Sequence, residues 1–208
     1  MNTVSNRMDK RALQASARKV LEPIVALLAS FGVAPLLVSL FGVAFSVWGA
    51  VVVANGSLLG GAIFLLISGL CDVLDGDLAR REGKASPFGA FIDSTLDRVS
   101  EFAYFSGILL YVVTRPNGYD LWEPIVILLA LMGSVLTSYA RARAEGIGVD
   151  CKVGMMERPE RVVLLAIGLF AGHRFLMAVM ILLALTSLAT VVQRIRHVHR
   201  VAAARQSR

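Results

Sequence analysis

Six apolar stretches, at about Val33–Ala54, Ser57–Leu78, Phe88–Val113, Leu121–Tyr139, Val162–Gly172 and Phe175–Ile195, take up most of this 208-residue chain. A helix needs about 20 apolar residues to cross the roughly 30 Å hydrocarbon core of a bilayer, and lipid offers no water to satisfy a bare backbone amide. The pattern predicts an all-α integral membrane protein with six transmembrane helices. The fifth stretch is the shortest, so its helix has to begin near Glu157–Arg161 to cross. Hydrophobic residues make up 56% of the chain and charged residues only 17%, with a mean hydropathy of +0.69, so lipid is its main solvent.

The basic residues set the orientation. Arg7, Lys10, Arg11, Arg18, Lys19, Arg80, Arg81, Lys84 and Arg98 fall at one set of span ends, followed by Arg141, Arg143, Lys152, Arg158, Arg161, Arg194, Arg196, Arg200, Arg205 and Arg208. Only Arg115 and Arg174 fall opposite. The positive-inside rule then puts both termini in the cytoplasm and the protein in the cytoplasmic membrane as a multi-pass chain. The net charge of +6 is a topology signal and an attraction to anionic lipid heads. Because the basic residues flank spans and form no soluble basic domain, no nucleic-acid partner is expected.

The connections follow the turn residues. Ala54-Asn55-Gly56-Ser57 and Arg115-Pro116-Asn117-Gly118 read as tight outer turns, the second beside Tyr119 and Trp122 at interface positions. Gly83-Lys84-Ala85-Ser86-Pro87 breaks a helix on the cytoplasmic side, and Pro23 and Pro35 mark helix starts or bends. Residues 1–22 carry Val4, Met8, Ala12, Ala15, Val20 and Leu21 at helical spacing, which predicts an amphipathic interfacial helix. They show no signal-peptide pattern. Residues 1–200 form a single membrane domain, with the six-helix bundle over 33–199, and 201–208 are expected to be a disordered tail that leaves His197 and His199 solvated. Cys71 and Cys151 suggest neither a disulfide nor, with three distant histidines, a zinc site.

Against this apolar background the run from Asp72 to Asp97 stands out. An aspartate at the middle of a membrane helix costs about 2.5–3.5 kcal/mol on insertion scales, so it persists with a partner. Asp72 and Asp75 are three residues apart and Asp93 and Asp97 four apart, so each pair shares a helix face. Two such faces in contact give a four-carboxylate cluster suited to hard divalent ions, Mg²⁺ or Mn²⁺, with room for two. Gly76 and Ala79 lie on the stripe of Asp72 and Asp75, and Gly89 lies one turn before Asp93. Their missing side chains let a bulky ligand approach the backbone, and Arg80 adds a planar fork for phosphate.

These residues spell D-x-x-D-G-x-x-A-R-x8-G-x-x-x-D-x-x-x-D, and here the chain resembles the CDP-alcohol phosphotransferase family. The resemblance implies attack of an alcohol on the β-phosphate of a CDP-linked lipid, such as CDP-diacylglycerol or its archaeal equivalent, with release of CMP. It implies Asp72, Asp75, Asp93 and Asp97 as metal ligands, with Asp97 doubling as general base. Gly76, Ala79, Arg80 and Gly89 become the lining of the CDP pocket. It also implies a homodimer. At Ala34-Pro35-Leu36 relatives often carry Pro-Asn with a threonine three residues on. Leu36 and Ser39 stand there instead, so a polar contact to the donor head is expected to change.

The acceptor is read from Ser138-Tyr139-Ala140-Arg141-Ala142-Arg143-Ala144-Glu145, from Glu157-Arg158-Pro159-Glu160-Arg161 and from Arg194. A set of guanidinium groups beside the metals favours an acceptor that already carries phosphate, because a neutral alcohol would leave desolvated cations unpaired. The segments resemble the branch of the family that holds prokaryotic phosphatidylinositol phosphate synthases and their archaeal archaetidylinositol counterparts. That resemblance gives Arg141, Arg143, Arg158, Arg161 and Arg194 to an inositol phosphate. Glycerol 3-phosphate, giving phosphatidylglycerol phosphate, is the alternative acceptor. A cation transporter is the alternative of another class, set back by the lack of polar groups on the outer half of a pathway.

Overall fold

The computed structural model describes residues 20–156 and 158–206, whose regular structure is entirely helical. Seven helices follow in order: α1 (Val20–Ser30), then α2 (Pro35–Ala54), α3 (Leu58–Arg81), α4 (Pro87–Val113), α5 (Trp122–Gly146), α6 (Arg158–Ala171) and α7 (His173–Gln206). Of the interfacial helix expected over residues 1–22, the part up to residue 19 lies outside the described residues. Pro35 opens α2 and Pro87 opens α4, where a proline's missing N–H costs nothing. Ser86 caps α4, its Oγ accepting from the Gly89 amide at 3.0 Å. Gly83, at φ +66°, reverses the chain between α3 and that cap.

Four helices, α2, α3, α5 and α7, are long and apolar enough to cross a membrane. The other two expected spans fall short for different reasons. Helix α4 has the length but carries Asp93, Asp97, Arg98 and Glu101 within it. Helix α6 has 14 residues and so rises only about 21 Å. The polarity of the bundle fits lipid, with Ser46, Ser134, Thr137, Ser187 and Thr190 buried while Leu40, Trp48, Leu66, Leu128 and Leu185 face outward.

Helix α2 packs on α3 and α4, α5 on α7, and α6 between α3 and α7. The α2–α4 contact is close because it is built on small residues. A Cβ on Gly107 would lie 2.4 Å from the Ala50 carbonyl oxygen, and nearby the Tyr104 hydroxyl donates to the Gly61 carbonyl at 2.9 Å. With backbone as the obstacle, the helices themselves have to separate. Gly107→Ala is therefore expected to destabilise the bundle by about 1–3 kcal/mol, read as a lower thermal midpoint in detergent. An unchanged midpoint would mean that the two helices slide apart freely.

Far from the aspartates, Glu123 at the start of α5 is buried and accepts from Arg115 at 2.6 Å and from His173 at 2.9 Å. The triad ties the α4–α5 connection to the first residue of α7. At the other end α7 corrects the expectation of a disordered tail over residues 201–208 as far as residue 206, since the helix runs on to Gln206, and residues 207–208 lie outside the described residues. The extension is docked: Val198 and Val201 pack on Ala144, Val149 and Cys151. His197 donates to the Asp150 carbonyl at 3.0 Å and Arg205 to the Gly148 carbonyl at 2.7 Å. His197 is thus a clamp on the α5–α6 loop, and Cys151 is wholly buried beneath it.

Candidate active site

The second half of α3 and the first half of α4 bring the motif residues together. Asp72 and Asp75 project from α3, Asp93 and Asp97 from α4, and all four line one small cavity with Ser39 of α2 and Arg158 of α6. Asp72, Asp93 and Asp97 each place a carboxylate oxygen within 4.8 Å of the others. Asp75 stands slightly apart, buried, with its Oδ2 accepting from the Ser39 hydroxyl at 2.5 Å. The Ser39 position, expected only to alter a donor contact, thus braces a cluster carboxylate. The main positive charge inside the cluster is Arg158, whose Nη1 donates to Asp72 Oδ2 at 2.8 Å and whose Nη2 donates to Asp97 Oδ1 at 2.6 Å.

The donor set fits a divalent metal. Three converging carboxylates are hard anionic ligands, and one guanidinium leaves a formal excess of negative charge on them. Asp72, Asp93 and Asp97 have the mutual spacing for one ion, and Asp75 is the remaining carboxylate at its edge.

Beside the cluster a groove of about 550 Å³ runs between α2, α3 and α4, lined by Gly76, Ala79, Arg80 and Gly89 together with Asp72, Asp75 and Asp93. The four residues given to the CDP pocket therefore share one concave wall with the carboxylates. Arg80 folds back over Gly76, where a Cβ would meet its guanidinium at 3.3 Å, and donates to Asp77 at 2.6 Å. Leu36 and Phe88, both exposed, give the groove an apolar rim.

The five arginines given to the acceptor are not gathered in one pocket. Arg158 stands in the carboxylate cluster, and Arg161, one turn along α6 and buried, faces Glu101 at 3.7 Å. Arg194, also buried, donates to the carbonyls of Thr137 and Val153, the latter at 2.9 Å, and like Arg158 it lies within electrostatic reach of Arg161. Arg141 pairs with Glu145 at 2.8 Å on the exposed end of α5, where Arg143 is also exposed. Sequence reasoning missed Glu101, which meets Arg98 at 3.5 Å and Arg161, and takes the Ser134 hydroxyl. Its signal was there, since Asp93, Asp97 and Glu101 repeat every four residues along one face of α4.

Residues 32–202 match the sequence pattern described as CDP-alcohol phosphatidyltransferase. The chain belongs to this family. It is therefore a transferase, and the transporter alternative is set aside. The chain is 42% identical over 149 residues to the archaetidylinositol phosphate synthase of Methanothermobacter thermautotrophicus, covering 70% of this chain and 72% of that one. The crystal structure of Mycobacterium tuberculosis phosphatidylinositol phosphate synthase with CDP-DAG bound superposes with a TM-score of 0.80 at 34% identity, over 86% of this chain and 94% of that one. The same mycobacterial enzyme in complex with manganese and citrate gives a TM-score of 0.78 at 36% identity, over 85% and 87%. A family transferase with a manganese-bound relative and this carboxylate set uses a divalent metal.

Proposed function

We propose that this protein transfers a phosphatidyl-type group from a CDP-linked lipid to a hydroxyl of inositol 1-phosphate, releasing CMP. The observation that carries the reading is the groove that joins Gly76, Ala79, Arg80 and Gly89 to the carboxylates, with Arg158 lining both this groove and the inner cavity that holds Arg161. A CDP-lipid lies in that groove with its diphosphate towards the cluster and its tails past Leu36 and Phe88. Asp72, Asp75, Asp93 and Asp97 hold Mg²⁺ or Mn²⁺, two ions in this reading. Such ions, when bound, neutralise the diphosphate and the charge that develops on departing CMP.

Asp97 accepts the proton of the attacking hydroxyl. That oxygen forms a bond to the β-phosphorus, the bond from that phosphorus to the bridging oxygen breaks, and CMP leaves with the electron pair. Arg158, Arg161 and Arg194 supply the positive field on the acceptor side, with Arg141 and Arg143 at its outer edge. The protein works in the cytoplasmic membrane as a homodimer with six spans. Both termini and the carboxylates face the cytoplasm, where the basic residues cluster.

The test is CMP release by the purified protein in nanodiscs with Mg²⁺ and CDP-diacylglycerol, comparing inositol 1-phosphate, free inositol and glycerol 3-phosphate. Inositol 1-phosphate alone is expected to stimulate release, by about a hundredfold or more over free inositol, because a site built to bind phosphate is left with unpaired cations without it. Stimulation by glycerol 3-phosphate alone would keep the chemistry and make the product phosphatidylglycerol phosphate.

A further inference from the structure

Arg158 holds two of the carboxylates that a metal requires. Its guanidinium spans Asp72 on α3 and Asp97 on α4 at 2.8 and 2.6 Å, and both belong to the trio whose oxygens converge within 4.8 Å. A divalent ion seated among those oxygens and a guanidinium hydrogen-bonded to the same oxygens are competing cations at one anionic site. The side chain is well placed to leave. Arg158 is the first residue of α6, it retains 27% exposure, and it lines three spaces at once: the donor groove, the carboxylate cavity and an inner cavity shared with Arg161 and Glu101. In that inner cavity Arg161 Nη2 is ion-paired with Glu101 at 3.7 Å, and neither it nor the buried Nε has a hydrogen-bond partner among the described residues. Buried donors of this kind mark a place where another acceptor fits.

We propose that Arg158 is a cation-displaced clamp: it neutralises Asp72 and Asp97 until a divalent metal takes their oxygens, and the released guanidinium then joins Arg161 on the acceptor's phosphate. The second half rests on the phosphorylated acceptor proposed above; the first half does not. Metal and acceptor are then linked and each tightens the other by the same factor. The acceptor site acquires its full positive charge only on an enzyme already loaded with metal. The opposite role for the same contacts is a fixed brace that orients Asp72 and Asp97, and a brace would strengthen metal binding.

The two roles predict opposite signs in a Mn²⁺ titration of the full chain in nanodiscs without CDP-lipid, with free Mn²⁺ read by electron paramagnetic resonance. Arg158→Gln is expected to bind Mn²⁺ about tenfold more tightly than the wild type, within the usual range of coupling between sites. Unchanged or weaker binding overturns the clamp. In the wild type, inositol 1-phosphate is expected to tighten Mn²⁺ by a similar factor, and in Arg158→Gln to leave it unchanged. This wild-type arm decides the matter if the variant does not fold. Inositol 1-phosphate that binds the Mn²⁺-loaded protein without tightening Mn²⁺ overturns the linkage. If inositol 1-phosphate does not bind at all, the acceptor assignment and the delivery step fail together, while the sign of the Arg158→Gln shift still judges the displacement.

Discussion

Asp97→Asn is expected to lower CMP release by about a thousandfold, within the range that a positioned acid or base contributes, while CDP-lipid affinity changes by only about threefold. Asparagine keeps the shape of the side chain, so packing along α4 is preserved and the loss falls on charge and basicity. Asp97 sits where the two sides of the site meet: its Oδ1 accepts from Arg158 and its Oδ2 lies 3.9 Å from Arg98. A carboxylate beside divalent ions is a weak base by its proton affinity alone, so its geometry has to supply the advantage. Single-turnover CMP release and direct CDP-lipid binding on the same preparation separate the two effects. Full activity would remove Asp97 as the base, and an equal collapse of donor binding would make it principally a metal ligand for the donor.

The carboxylate cluster was legible because lipid makes a charged residue expensive. An Asp at i, i+3 or i, i+4 in an apolar run has few explanations, and the groove gathers Gly76, Ala79, Arg80 and Gly89 as the motif implies. The arginines were less legible for a physical reason. Helix-end basic residues serve topology, structure and ligand binding with the same side chain. Sequence spacing could not tell that Arg141 would pair with Glu145 one turn on, or that Arg158 would reach across to two other helices. The end of α7 was misread because residues 195–206 are polar enough to look solvated, yet Val198 and Val201 face the buried Cys151. Helix α4 is less apolar along its length for the converse reason, since its Asp97 and Glu101 point into the bundle towards Arg158 and Arg161.

Arg194→Ala is the second large effect, and the structure changes what it means. The family resemblance gives Arg194 to the acceptor phosphate. In the fold its buried guanidinium also donates to the Thr137 carbonyl of α5 and to the Val153 carbonyl of the α5–α6 loop. Beside it, Thr190 accepts from the Met155 amide, and Gly154 leaves no room for a Cβ against the Thr190 methyl at 2.7 Å. The stretch fastened by these contacts leads straight into Arg158 at the head of α6. Truncation leaves buried carbonyls without their charged donor and frees the loop that positions the clamp. The expected result is a rise of about 10- to 100-fold in the KM for inositol 1-phosphate, against about threefold or less in the KM for CDP-lipid, whose groove is built by other helices. Arg194→Lys separates the two contributions, because a single ammonium keeps the positive field but not the planar fork that spans two carbonyls. If lysine restores the acceptor KM, the charge itself serves the acceptor. If it does not, and if both variants raise the two KM values equally, Arg194 supports the bundle as a whole and the acceptor site lies elsewhere.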